Sequence, residues 1–449
     1  MRRMLIVTAV LAMVTTACAT DAEESTNSAS RQLPAGSVEA AEAAAREVTG
    51  GKQIGGTLKL MGVLSGDQLT SYMSTLEPLE KATGIKIEYE TAGDLQAVLQ
   101  TRTDGGNPPD VVSNPSVGQV RDLAAAGDLV PIDPWLDMAT FEKEYPTSLQ
   151  ELGTVGGRLF GLFVNTAVAG LVWYDPARYQ GPVEPADWEQ LADWTRQRAA
   201  DGHTPWCVGI ESGPASGWPG AVWIEQFMLQ DGGDVYDEWW RGKLPWTSPE
   251  VRKAFESFGQ VVADKTQVSG GPTSVLTTNF AESPKGLFTD PPACDLHVQG
   301  DWLGNAMAAS VPGVEPVTDV NFFQFPPATS GEQQPVEITG ETLAAFTGTP
   351  QVQALMRYVA TPEFSALVAA TGNWLGANTA TPLGAYTSEL SKQAARLYAN
   401  ADDVRFGAKD AMPTALSQAF LKAVVSYVDD PASLDEILTE LERVRTAGS

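Results

Sequence analysis

The chain has 449 residues, 43% of them apolar and 19% charged, an ordinary composition for two or three folded domains. Against 29 basic residues stand 56 acidic ones, a formal charge of −27, which excludes a nucleic-acid partner and argues against an anionic membrane surface. His203 and His297 are the two histidines present, so His-rich acid–base or metal chemistry has little material.

Arg2 and Arg3 precede an apolar run at 4–14, too short for a transmembrane helix and suited to a signal-peptide core. Thr15-Thr16-Ala17-Cys18 then resembles the lipobox of bacterial lipoproteins, with Thr15 where that motif usually carries Leu. The reading is a signal peptide at 1–17 and lipidation of Cys18, which holds the mature chain on the outer face of the cytoplasmic membrane. A plain cleaved signal with a chance cysteine is the alternative. Residues 18–56, rich in Ala, Ser, Glu and Gly, read as a flexible tether in which 37–48 can form a surface helix.

The pattern then predicts a strand at 57–63, a helix at 67–83 stopped by Gly84, and a strand at 85–90. A helix from Asp94 ending before Gly105, a strand at 110–113 and a helix from Val117 ending at Gly127 follow. The apolar stretch 159–174 is interrupted by Asn165 and Thr166, and predicts two buried strands with a crossing between them. Asp187 caps a helix reaching 200, and further helices are predicted at 218–230, 248–264, 350–360, 362–370, 411–428 and 432–446. Alternating strands and helices imply the α/β class, here two α/β lobes with a ligand cleft between them.

Several motifs carry a resemblance. Leu79-Glu-Lys-Ala-Thr-Gly-Ile-Lys-Ile-Glu-Tyr89 resembles the F-E-K-x-T-G-I-K-V segment of family-1 extracellular solute-binding proteins. Gly106-Asn-Pro-Pro-Asp110, Ala126-Gly-Asp-Leu-Val-Pro131, Gly156-Gly-Arg-Leu-Phe-Gly161 and Leu171-Val-Trp-Tyr-Asp-Pro176 continue the series. Thr204-Pro-Trp-Cys-Val-Gly-Ile-Glu-Ser-Gly213, Gly217-Trp-Pro219, Ile224-Glu225 and Met412-Pro413 are similar to the α-glucoside-binding branch of sugar importers. The resemblance spans about 57–445 and implies a bilobed, type II periplasmic-binding-protein fold. It implies capture of a sugar and delivery to the permease of an ABC transporter. Carried onto this numbering, lobe one would hold 57–163 and 303–342, and lobe two 167–299 and 345–449.

Eight of the twelve tryptophans lie within 188–246, where most serve a core. Three stand out as sugar-stacking candidates. Trp302 follows Val298-Gln-Gly-Asp301 and resembles the family's aromatic at the second crossing, Trp374 lies in an irregular stretch after a helix, and Trp218 opens a helix after Gly217. Asp67, Asn114, Glu211 and Asp301 fall at strand ends and are the candidate polar rim, with helix capping the competing role for Asp67. Arg405 reads either as a cleft residue or as the partner of a surplus carboxylate.

With Cys18 lipidated, Cys207 and Cys294 remain, an even pair that favours a disulfide in an exported chain. His203 and His297 add a zinc-like Cys2His2 alternative, although no short-spaced cysteine pair supports it. A glycoside hydrolase would need a framed carboxylate pair, and Gly209-Ile-Glu-Ser-Gly213 is not a nucleophile elbow because Ser212 stands one place late. No Walker A motif is present, so the ATP of transport would be hydrolysed by another subunit. The expectation is a monomeric binding protein without cofactor or metal, with a sugar-sensing surface lipoprotein as a further alternative.

Overall fold

A computed structural model describes residues 33–447. The proposed signal peptide and Cys18 lie outside them. In chain order the elements used below are α1 (Ala35–Val48), β1 (Thr57–Gly62), α2 (Gly66–Thr83), β2 (Lys86–Thr91), α3 (Leu95–Asp104), β3 (Val111–Asn114), α4 (Val117–Ala126) and α5 (Thr147–Gly153). Next come β4 (Gly161–Phe163), β5 (Ala167–Val168), β6 (Leu171–Tyr174), α6 (Trp188–Ala200), α7 (Trp218–Leu229), α8 (Gly233–Trp240) and α9 (Pro249–Val262). The chain continues through β7 (Leu296–Gln299), α10 (Leu303–Ser310), β8 (Asn321–Gln324), β9 (Val336–Thr339) and β10 (Thr342–Ala345). It ends in α11 (Pro350–Val359), α12 (Pro362–Thr371), α13 (Glu389–Ala399), β11 (Val404–Phe406), α14 (Thr414–Asp429) and α15 (Leu434–Ala447).

Local chemistry accounts for many of these boundaries. Ser116, Asp187, Ser248, Thr349 and Thr361 each accept a hydrogen bond from the backbone N–H three residues on, satisfying a donor that the first helical turn leaves open. Pro249, Pro350 and Pro362 then fill first helical positions, where a missing N–H costs nothing.

The first sheet runs β2-β1-β3-β10-β4, with β1 parallel to β2 and β3, and β10 antiparallel to β3 and β4. A second sheet, β8-β6-β7, is antiparallel and puts Phe322 opposite Trp173 and Trp173 opposite His297. A third, β11-β9-β5, registers Ile338 with both Phe406 and Val168. One core cluster centres on the first sheet, and another gathers α7, α9 and α14. Trp206, Trp223, Trp239 and Trp246 in the second are almost wholly buried. Each removes roughly 150–250 Å² from water, about 4–6 kcal/mol before ordering costs. These four are core.

Two expected boundaries move. The tether assigned to 18–56 contains a packed helix: Ala41 and Ala45 of α1 are fully buried, and α1 contacts α2, α11 and α12. Its Glu42 carboxylate pairs with Arg46 and with Lys81 of α2. The lobe division also differs from the expectation of 303–342 in lobe one and 345–449 in lobe two. β8 pairs with β6 in the second sheet, whereas β10 enters the first sheet and α12 packs on α1 and α2. Strand and helix patterns are local and do not say which sheet an element joins.

The chain crosses between lobes at 164–166 and at 340–341, side by side. Val164 N–H donates to the Glu341 carbonyl and Glu341 N–H to the Asn165 side-chain oxygen, both at 3.0 Å. A Cβ on Gly340 would lie 2.4 Å from the Asn165 carbonyl oxygen, so the close approach of the two crossings requires glycine there.

Candidate ligand-binding cleft

The first crossing carries the polar atoms that matter. Asn165 uses its side-chain oxygen on Glu341 N–H, which leaves its buried Nδ2 without a partner. Thr166 exchanges backbone hydrogen bonds of 2.9 and 2.8 Å with Leu375, and its buried hydroxyl has no partner either. This backbone pairing brings the loop after α12 against the crossing. Trp374, next to Leu375, is largely buried and meets Tyr72 edge to face at 6.3 Å. The Tyr72 hydroxyl is buried and unpartnered, and burial together with the nearby Glu341 carboxylate raises the phenol well above its ordinary range.

One residue beyond Leu375, Gly376 N–H donates to the Tyr386 hydroxyl at 3.2 Å. Tyr386 in turn feels the charge of Asp301. Asp301 N–H donates to the Val168 carbonyl at 2.9 Å, which fixes the turn from β7 into α10 on the crossing strand. Its side-chain Oδ1 is buried without a partner, and burial pushes the carboxyl up to about 8, against backbone N–H groups at Val168 and Trp302 that pull it down. Gln299, the last residue of β7, turns its Oε1 onto Gly300 N–H at 3.1 Å and leaves a buried Nε2 unpartnered. A Cβ on Gly300 would come within 2.7 Å of the Trp302 indole nitrogen, so this glycine lets the ring fold back over the turn. Trp302 and Trp218 both meet Phe280 edge on, at 6.2 and 5.2 Å, and the three form a row.

The structure therefore brings Tyr386 to the loop that carries Trp374, through Gly376, and joins Trp302 to Trp218 through Phe280. The other sequence candidates fall elsewhere or are occupied. Glu211 accepts from Gly213 N–H and from Asn279 Nδ2, both at 2.7 Å, and these bonds hold its carboxyl below the usual range. Its carbonyl also accepts from Phe280 N–H at 3.0 Å, a bond that holds Phe280 in the aromatic row. Asn114 is buried with both side-chain groups engaged, accepting from Ser116 N–H and donating to Gln119. Asp67 is exposed in the first turn of α2 and is not its cap, which is Ser65. Arg405 does not join the cleft set: it is tied to Asp403, to Asp237 at 3.5 Å and to the Gly233 carbonyl at 3.3 Å. A guanidinium on a strand flanked by carboxylates takes the nearest ones.

Tyr72, Gln299 and Tyr386 escaped the sequence reading, because helical or loop tyrosines and a strand glutamine carry no local signal. Asn165 and Thr166 did carry one, as polar residues interrupting an apolar run. Cys207 and Cys294 form a disulfide with Cα atoms 5.4 Å apart, which removes both sulfurs as zinc ligands. His297 lies beside it, its Nδ1 2.8 Å from the Cys207 carbonyl, and burial lowers its pKa to about 4.

The described chain is similar over most of its length to known proteins. Residues 66–366 match the family described as bacterial extracellular solute-binding protein. The osmoprotective compounds-binding protein of Synechocystis sp. is 32% identical over 388 residues, covering 86% of this chain and 91% of that protein. The alpha-glucosides-binding periplasmic protein of Rhizobium meliloti is 30% identical over 402 residues, covering 85% of each. Among solved structures, a chitin oligosaccharide binding protein superposes with a TM-score of 0.74 at 17% identity, over 88% of this chain and 98% of that one. A fold of two α/β lobes, crossings lined with unpartnered polar atoms and this extent of match lead to one assignment: the chain belongs to the bacterial extracellular solute-binding proteins, a family of binding proteins and not of enzymes.

Proposed function

We propose that the protein captures a neutral saccharide, an α-glucoside or another small oligosaccharide, outside the cytoplasm and delivers it to the membrane permease of an ABC importer. The observation that carries this reading is the set of buried, unpartnered polar atoms at the crossings: Asn165 Nδ2, Gln299 Nε2, Asp301 Oδ1 and the hydroxyls of Thr166 and Tyr72. A buried polar group without a partner costs about 1–3 kcal/mol, so five together favour a ligand that restores the bonds. Two are donors, one is an acceptor and two are both, which is the mixture sugar hydroxyls complement. Trp302 and Trp374 add flat apolar area for the C–H face of a pyranose. The Rhizobium meliloti relative, a binder of α-glucosides, favours the same class of solute.

The mechanism is a population shift, in which a ligand touching both lobes favours the closed arrangement that the permease reads. Lipidation at Cys18 would hold the chain beside that permease; intact mass of the membrane-extracted protein, with acyl chains on residue 18, is the check. Binding itself is tested by thermal unfolding against mono-, di- and trisaccharides, with amino acids and polyamines as controls. At 100 times its dissociation constant a ligand adds about 2.7 kcal/mol of stability. An α-glucoside recovered chemically intact after raising the melting temperature is the expected result. Silence across all saccharides with a shift from a control would overturn the sugar assignment and leave the family intact.

A further inference from the structure

The lobes also touch away from the crossings, where α3 and α4 of the first meet the start of α14 in the second. Leu99 of α3 and Val120 of α4 pack with Met61 and Val112 of the first sheet, whereas Leu416 and Phe420 of α14 belong to the other core. α14 begins after Pro413, which supplies no side-chain cap. The acceptor comes from the opposite lobe: Asp122 Oδ2 of α4 takes the Thr414 N–H at 2.8 Å and the Thr414 hydroxyl at 2.7 Å. A carboxylate in that place satisfies a free N–H and meets the positive end of the helix dipole.

One turn back along α4, Gly118 lies against Met412. A Cβ on Gly118 would fall 1.8 Å from the Met412 carbonyl oxygen and 2.8 Å from its carbonyl carbon. Both residues are buried, so this seam is backbone against backbone and no side-chain rotation can relieve it. Further along α14, Gln418 Nε2 donates to Gln96 Oε1 of α3 at 2.8 Å. Gln96 is braced from its own lobe: its carbonyl accepts from Gln119 Nε2 at 3.2 Å, and Gln119 Oε1 accepts from Asn114 Nδ2 at 2.8 Å. α14 then reaches the aromatic row. A Cβ on Gly217, the residue before Trp218, would lie 2.2 Å from the Leu421 carbonyl oxygen, about one turn beyond Gln418. α14 therefore runs from this contact to the aromatic row, which puts the contact on the cleft side of the crossings.

We propose that Asp122 and Gly118 are positioning residues for closure: against Thr414 and Met412 they latch the lobes together, and they set the affinity for the solute without touching it. Opening the cleft draws α4 away from α14 and breaks the latch. The apparent dissociation constant rises as the fraction of chains in the closed arrangement falls. A contact made when closed and lost when open therefore tightens binding of any solute that the cleft accepts. The inference rests on binding by lobe closure, and not on a saccharide being the solute.

The test is small-angle scattering of the purified chain without solute, comparing wild type with G118A, D122A and D122N. Alanine suits a helix better than glycine, so G118A wedges the seam without weakening α4. D122A changes an exposed side chain and reads the latch independently of any packing change at Gly118. Both variants are expected to enlarge the radius of gyration, whereas D122N, which keeps an acceptor at the start of α14, stays at the wild-type value. With the solute found by thermal screening, calorimetry should show binding weakened about fivefold or more in G118A and D122A and unchanged in D122N. Scattering from G118A and D122A that superposes on wild type overturns the proposal. That arm uses no ligand, so a wrong sugar assignment cannot produce the same result.

Discussion

Two residues of the cleft set decide the most. Trp302 is held by Phe280 on one side and by the turn at Gly300 on the other, so its ring is pre-positioned and little entropy is lost on stacking. Trp302→Ala is expected to weaken saccharide binding at least tenfold, about 1.4 kcal/mol, with an unchanged circular dichroism spectrum; calorimetry showing wild-type affinity would remove this residue from the site. Asp301 has a titration consequence. Its carboxyl is pushed up to about 8 by burial, so the folded chain keeps a proton that the unfolded chain releases near pH 4. Stability from this group is therefore highest below about pH 4, falls as pH rises through the interval, and levels off above about 8. His297, lowered to about 4, has the opposite slope between 4 and 6.5, because there the unfolded chain binds the extra proton. Asp301→Asn should thus gain on wild type by a few kcal/mol, as an order of magnitude, between pH 5 and 8. Equal melting-temperature differences at the two pH values would show that Asp301 ionises normally.

At the level of elements, the disulfide ties the segment before α7 to the start of β7, 87 residues later. Closing a loop of that length removes about 4–5 kcal/mol of unfolded-state entropy in the chain-entropy account. Replacing Cys207 and Cys294 by Ser should lower the melting temperature accordingly, while saccharide affinity stays near wild type because both residues sit away from the crossings. A double variant with an unchanged melting temperature would mean that the bond is absent in solution. Element identity was largely legible beforehand, since capping residues such as Asp187 and Thr361 act within one helical turn. The partner sheet was not. β9 and β10 are separated by Gly340 and Glu341, and this two-residue step carries the chain from one sheet to another. Nor does composition distinguish a tether from a packed helix: α1 is alanine-rich, and only the surfaces of α2, α11 and α12 make Ala41 and Ala45 core residues.

For the whole molecule, a binding protein of this fold works by moving its lobes about the crossing segments. Small-angle scattering should show a smaller radius of gyration on saturation with the saccharide found by thermal screening; identical profiles with and without ligand would exclude closure as the signal to the permease. By itself the sequence determined the α/β class and the family, through motifs spread along 57–445, and it put forward Trp302, Trp374 and Asp301 as candidates for the site. These follow from local propensity and from short motifs, both of which are written along the chain. Tertiary structure alone decided which polar atoms are left without partners, that Asn114 is occupied by its own turn, that Arg405 serves carboxylates and not the cleft, and that Tyr72 and Tyr386 both meet the loop at 374–376 from places far apart in the chain. The physical reason is that availability to a ligand is a matter of burial and of hydrogen bonds already made, and both are set by contacts between segments that the chain keeps distant.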